Sequence, residues 1–137
     1  MPSINPSSAD VQAFAERMPS DTPILMLNLL RFSSHAAYDA DSPFVPCSGR
    51  EAYARYSRTA LAKVQGVGGE VQVMADVHLA LIAPKEERWD LLLLVRYPSS
   101  AAFLNMLADP EYQAATVHRS AALEDSRLIA TTPAEKL

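Results

Sequence analysis

Two aliphatic runs, Ile24-Leu25-Met26-Leu27 and Leu91-Leu92-Leu93-Leu94-Val95, constrain the fold of this chain more than any other feature. Both fall far short of the ~20 apolar residues that a membrane-spanning helix needs. Each is bounded by turn formers, Thr22-Pro23 before the first and Pro98 after the second, so both read as strands. Successive side chains of a strand point to opposite faces, so these two strands are apolar on both faces and need cover on both. The segment Glu70–Ile82 differs. Val71, Val73, Ala75, Val77, Leu79 and Leu81 alternate with Glu70, Gln72, Met74, Asp76, His78 and Ala80, which predicts one long strand with distinct faces. Lys85-Glu86-Glu87-Arg88 is a solvated turn, and Trp89 to Tyr97 is the expected partner strand.

The cover comes from helices. Ser7 or Ser8 caps a first helix whose stripe is Val11, Phe14, Ala15 and Met18, stopped by Pro19. Ser48 and Glu51 form a capping box for a second, which runs to about Gln65 and ends at Gly66, Gly68 and Gly69. Its stripe is Tyr53, Tyr56, Ala60 and Val64. Ser99 or Ser100 starts a short helix with Phe103, Met106 and Leu107. Asp109-Pro110-Glu111 starts another, carrying Tyr112, Ala115, Thr116, Arg119, Ala122 and Leu123. A last strand is expected over Arg127–Thr132. Between the first strand and the second helix, residues 33–47 form an irregular excursion pinned by Phe44.

The order is one helix followed by β-α-β-β-α-β: a single α+β domain over residues 1–137. It predicts a ferredoxin-like antiparallel sheet with helices on one face. Those helices leave the other face bare, and a bare face built from such strands is too apolar for a monomer. A second copy packing sheet to sheet is the expected solution, giving an obligate symmetric homodimer.

Composition narrows the function. Twelve Lys and Arg against sixteen Asp and Glu give a net charge of −4, which argues against nucleic-acid binding. Four glycines argue against a phosphate-cradling loop, and the single Cys47 excludes an internal disulfide or a multi-cysteine metal site. Residues 1–8 lack the basic-then-apolar pattern of a signal peptide, so a cytoplasmic location with no membrane span is expected.

The run Tyr97-Pro98-Ser99-Ser100-Ala101, the segment Asp109-Pro110-Glu111-Tyr112-Gln113, Arg119, and Asp125-Ser126-Arg127-Leu128 carry a resemblance, as does Gly68-Gly69 before the long strand. Over about residues 23–133 the chain resembles domain-of-unknown-function family 1330, itself similar to the dimeric α+β barrels. The resemblance implies two ferredoxin-like sheets packed into a barrel. Relatives of that fold include cofactor-free monooxygenases, isomerases and haem-dependent enzymes, so fold alone does not choose a reaction. The helix over 8–18 and the long loop 33–47 are additions to the minimal family domain.

Six residues are candidates for a small-molecule site. Arg119 lies on an apolar helical stripe, where a guanidinium needs a partner; it either anchors a ligand anion or pairs with Asp90, Asp125 or Glu124. Asn28 interrupts an apolar strand and could bind an oxyanion or satisfy a bulge or interface. His78, two residues from Asp76 on the same strand face, is a candidate acid–base group, or with Asp76 the start of a metal site lacking further ligands; a solvated or interface role is the plain alternative. Tyr53, Tyr56 and Tyr112 could line a pocket or simply belong to the core. No cofactor or metal is expected. His35 and His118 are the other histidines available to a haem, and Cys47 precedes a helix N-terminus without an adjacent base. Two functions fit: a cofactor-independent enzyme acting on a small carboxylated or aromatic metabolite, or a non-catalytic ligand-binding or interaction dimer.

Overall fold

The computed structural model describes residues 2–137. Its elements in chain order are α1 (Ser8–Arg17), β1 (Ile24–Phe32), α2 (Gly49–Gly66), β2 (Glu70–Asp76), β3 (Leu91–Tyr97), α3 (Ser100–Ala108), α4 (Pro110–Ala122) and β4 (Leu123–Thr131). The strands form one sheet in the order β2-β3-β1-β4, and every neighbouring pair is antiparallel. This is the ferredoxin-like arrangement. No helix among the described residues is long and apolar enough to cross a membrane.

Local chemistry places the helices. Ser7 and Ser48 make full capping boxes with Asp10 and Glu51, Ser99 caps α3 through the Ala102 amide, and Asp109 caps α4 with Pro110 in its first turn. Gly68 takes a positive φ of 85° just beyond α2, where an L side chain would be strained. The core lies between the helices and the inner sheet face. Ile24, Met26 and Leu30 of β1 and Val95 and Tyr97 of β3 are buried against Ala52, Tyr56, Ala60, Val64, Phe103 and Tyr112.

The register assigns the faces. Leu27 stands beside Leu94 and Ile129, Leu29 beside Leu92, and Leu25 beside Arg96, all on the outer face. None of these leucines is buried, whereas the alternate positions Ile24, Met26 and Leu30 are. The both-faces-apolar pattern of β1 and β3 thus leaves a bare apolar outer face.

Three boundaries depart from the sequence reading. β2 ends at Asp76 rather than continuing to Ile82. Val77 still donates to the Asp90 carbonyl at 3.0 Å, but the Asp90 amide turns to Leu30 O at 2.8 Å and its carboxylate accepts from the Phe32 amide at 2.8 Å. The partner backbone therefore leaves β2, and residues 77–83 have no strand to pair with. For the same reason β3 begins at Leu91, not Trp89. Trp89 is buried instead, with the Arg31 and Arg127 guanidinia 5.9 and 5.0 Å from its ring centre. β4 begins at Leu123, four residues earlier than expected, because α4 runs straight into the sheet where Leu123 pairs with Phe32 across a bulge.

Candidate ligand cavity

Between the helices and the inner sheet face lies a cavity of about 860 Å³. Its floor is two register rows of the sheet, Val71–Val95–Met26–Ala130 and Leu93–Asn28–Leu128. α2 contributes Tyr53, Tyr56, Ala60 and Val64, and α3 and α4 contribute Phe103, Met106, Tyr112 and Arg119. α1 closes one side with Val11, Phe14 and Met18, held to α3 by Phe14 against Phe103 at 5.2 Å between ring centres. The segment before α1 lines a further part of the wall with residues 3–6. Ser3 donates its amide to Asp125 Oδ1 at 2.8 Å, Ser126 Oγ donates to the Ser3 carbonyl, and Asn5 bonds Ser120 at 3.2 Å.

Arg119 is 8% exposed and has no carboxylate partner among the described residues. The acids that the sequence offered it are otherwise engaged. Asp125 binds Arg127 at 3.0 Å, Glu124 lies 3.6–3.7 Å from Arg88 and Arg31, and Asp90 accepts from the Phe32 amide. The guanidinium donates through one nitrogen to the Ile4 carbonyl. Such a cation is stable only with further acceptors, and the cavity is where they would sit.

The tyrosines divide into two kinds. Tyr56 and Tyr112 share a hydrogen bond of 2.8 Å between their hydroxyls, one donating and the other accepting. Tyr53 packs on Phe32 and Tyr56, but its hydroxyl has no hydrogen-bond partner among the described residues. Burial pushes the Tyr53 phenol up to about 12, with nearby Arg119 pulling the other way, and burial raises Tyr56 and Tyr97 as well. These phenols are donors near neutral pH, not bases. Asn28 makes one long bond, 3.3 Å from its amide nitrogen to the Met26 carbonyl, and its oxygen has no hydrogen-bond partner among the described residues.

Of the six sequence candidates, the cavity brings together Asn28, Arg119, Tyr53, Tyr56 and Tyr112. His78 stands apart: it is exposed beyond the end of β2, because the strand that was to carry it stops at Asp76. His35 is exposed, and His118 packs on loop 33–47. No histidine, cysteine or residue of loop 33–47 lines the cavity, and no three His, Cys, Asp or Glu side chains cluster as metal ligands among the described residues. Sequence reasoning missed the segment 3–6. Its contribution to Arg119 is a backbone carbonyl, which no side-chain pattern announces.

The family profile of a domain of unknown function (DUF1330) matches residues 45–132. The chain belongs to the DUF1330 family. The match starts later than the sequence resemblance implies, so β1 with Asn28 lies outside it, while Tyr53, Tyr56, Tyr112 and Arg119 lie inside. Two crystal structures of RPA0582, a protein of unknown function from Rhodopseudomonas palustris, resemble this DUF1330 chain throughout. The methylated form is 39% identical, covering 98% of this chain and 96% of that one with a TM-score of 0.90. The other is 38% identical over 99% and 100%, also with a TM-score of 0.90. The hydroxynitrile lyase of Passiflora edulis shares the fold alone, at 11% identity over 85% of this chain and 98% of that one, TM-score 0.55. No curated protein matches the sequence.

Proposed function

We propose that the protein is a cytoplasmic homodimer in which each protomer binds a small organic anion in the cavity between helices and sheet. The observation that carries this reading is Arg119: a guanidinium 8% exposed, without an acid partner among the described residues, on the wall of a cavity of about 860 Å³. That volume lies toward the top of the ~300–1,000 Å³ range of small-molecule sites. Arg119 holds the anion with its remaining N–H groups, the Tyr53 hydroxyl donates a further hydrogen bond, and the Asn28 amide faces the same space. As a cofactor-independent enzyme, this donor set would stabilise an enolate or oxyanion of a carboxylated or aromatic metabolite, with a tyrosine giving the proton.

A second reading, a non-catalytic binding dimer, is favoured by one feature. No group beside Arg119 is a base near neutrality, since Tyr53 is held protonated to about 12. Native mass spectrometry of gently purified protein tests the common ground. The expected result is a dimer carrying a reproducible added mass that is lost in Arg119→Gln. A dimer without added mass that also takes up no organic acid overturns the proposal. Incubating the protein with the identified molecule then separates the readings, because an enzyme returns it altered and a binding module returns it intact.

A further inference from the structure

We infer that the ligand is an amphipathic monocarboxylate: one carboxylate on a body that carries no second polar group. The inference rests on the reading of the cavity as a ligand site and follows from which lining groups are already satisfied. Tyr56 and Tyr112 bond each other, and Tyr97 donates to Met106 Sδ at 3.9 Å. Gln113 donates to the Leu107 carbonyl at 3.0 Å and Thr116 to the Gln113 carbonyl at 2.6 Å. Ser126 donates to Ser3, and Arg127 is held by Asp125. What remains uncommitted around the buried centre is Arg119, the Tyr53 hydroxyl, the O–H of whichever of Tyr56 and Tyr112 accepts in their shared bond, and part of the Asn28 amide. Arg119 and Tyr53 are donors, and Arg119 carries a full positive charge. An acceptor-only, negatively charged group matches them, and a carboxylate does so in the plane that a guanidinium prefers.

The buried part of the wall is otherwise apolar: Met26, Leu93, Val95, Phe103, Met106 and Ala130 offer neither donors nor acceptors from their side chains, and the remaining polar lining residues, Asn5, Asp10, Arg17 and Ser57, are exposed or half-buried. Away from Asn28, a second polar group on the ligand would lose its water there without replacement. The Ile4 carbonyl already occupies one Arg119 nitrogen, which leaves the other guanidinium N–H groups for the carboxylate. The body can be an alkyl chain or a fused ring, since both present the same apolar surface.

Calorimetry on the full-length protein, stripped of bound molecules, tests this with decanoate, 2-naphthoate, 1-decanol and decanedioate at neutral pH. At least one of the two monoacids should bind about tenfold or more tightly than both the alcohol and the diacid, the difference a charge-assisted hydrogen-bonded pair provides. A preference for decanoate identifies an alkyl body and a preference for 2-naphthoate a ring. Arg119→Gln should erase the preference for acid over alcohol, while far-ultraviolet circular dichroism unchanged from that of the native chain shows that the variant folds. Arg119→Lys should keep part of the preference, and Leu93→Trp, which fills the floor, should weaken every probe. The inference is overturned if decanol or decanedioate binds as tightly as the monoacids, or if Arg119→Gln keeps the preference. It is also overturned if no monoacid binds; an added mass on the purified protein then leaves the cavity reading standing. Acid binding indifferent to Leu93→Trp overturns the cavity reading and the inference together.

Discussion

At the scale of single residues, the two kinds of buried tyrosine make opposite predictions. Tyr56→Phe leaves the Tyr112 hydroxyl buried without its 2.8 Å partner. That should cost about 1–3 kcal/mol, the range for stranding one buried polar group. Tyr53→Phe removes a hydroxyl that bonds nothing among the described residues, so stability should change by less than about 0.5 kcal/mol or rise slightly. Chemical denaturation of both variants checks the pair. Equal losses would mean that Tyr53 has a structural partner and is not free for a ligand. The sequence brought these side chains to attention because helical spacing puts Tyr53 beside Tyr56, and Tyr112 seven residues before Arg119, on inward stripes. It could not show which hydroxyls would meet, since Tyr56 and Tyr112 are 56 residues apart.

At the scale of elements, α2 is docked by close backbone approach at its first residue. A Cβ on Gly49 would sit 2.2 Å from the Ser33 carbonyl oxygen and 2.6 Å from that of Ala122. Both are backbone atoms, and Gly49 N itself donates to Ser33 O at 3.0 Å, so neither neighbour can rotate away. Gly49→Ala should therefore destabilise by about 3 kcal/mol or more, shown as a large drop in melting temperature; an unchanged melting point would mean that the helix start can shift.

Loop 33–47 is held by a small aromatic cluster of the kind that the Phe44 reading anticipated. Phe44 packs on the His118 ring at 4.5 Å, Tyr38 Oη donates to His118 Nδ1 at 2.6 Å, and Arg55 donates to Tyr38 Oη at 3.2 Å. The histidine must be neutral to accept, and burial together with Arg55 lowers its pKa from 6.5. A histidine whose folded pKa is depressed gives stability that is complete above the unfolded value of 6.5 and is lost as pH falls from there through the folded value. Thermal melts below neutrality should thus decline more steeply for the native chain than for His118→Gln. Parallel slopes would remove His118 as the titrating group. Strand length was the least legible element property. Val77, Leu79 and Leu81 keep the alternation of β2, but pairing depends on a partner backbone that Asp90 diverts toward β1.

At the scale of the whole molecule, the sheet separates two roles by its two faces. The inner face builds the cavity, and the outer face presents Leu25, Leu27, Leu29, Leu92 and Leu94 with Ile129, which is 46% exposed. Beyond β2, Leu79, Leu81 and Ile82 are exposed as well. A continuous patch of this kind is more than a solitary protomer keeps in water, and a two-fold axis would let the same leucines cover one another. Leu27 is the sharpest probe, since Leu94 and Ile129 flank it at the middle of the face. Leu27→Asp introduces a carboxylate from each copy into the contact, and burying an unpaired charge costs several kcal/mol per ion. Dimer affinity should fall by about a thousandfold or more, while helix content by circular dichroism stays that of the native chain. Sedimentation at micromolar concentration should give a native dimer and a Leu27→Asp monomer; a native monomer there would refute sheet-to-sheet pairing. Because Leu27 and Arg119 work on opposite sides of the sheet, the monomeric variant should still prefer a monocarboxylate over the matching alcohol. Loss of that preference on dissociation would mean that pairing of the outer faces also shapes the cavity.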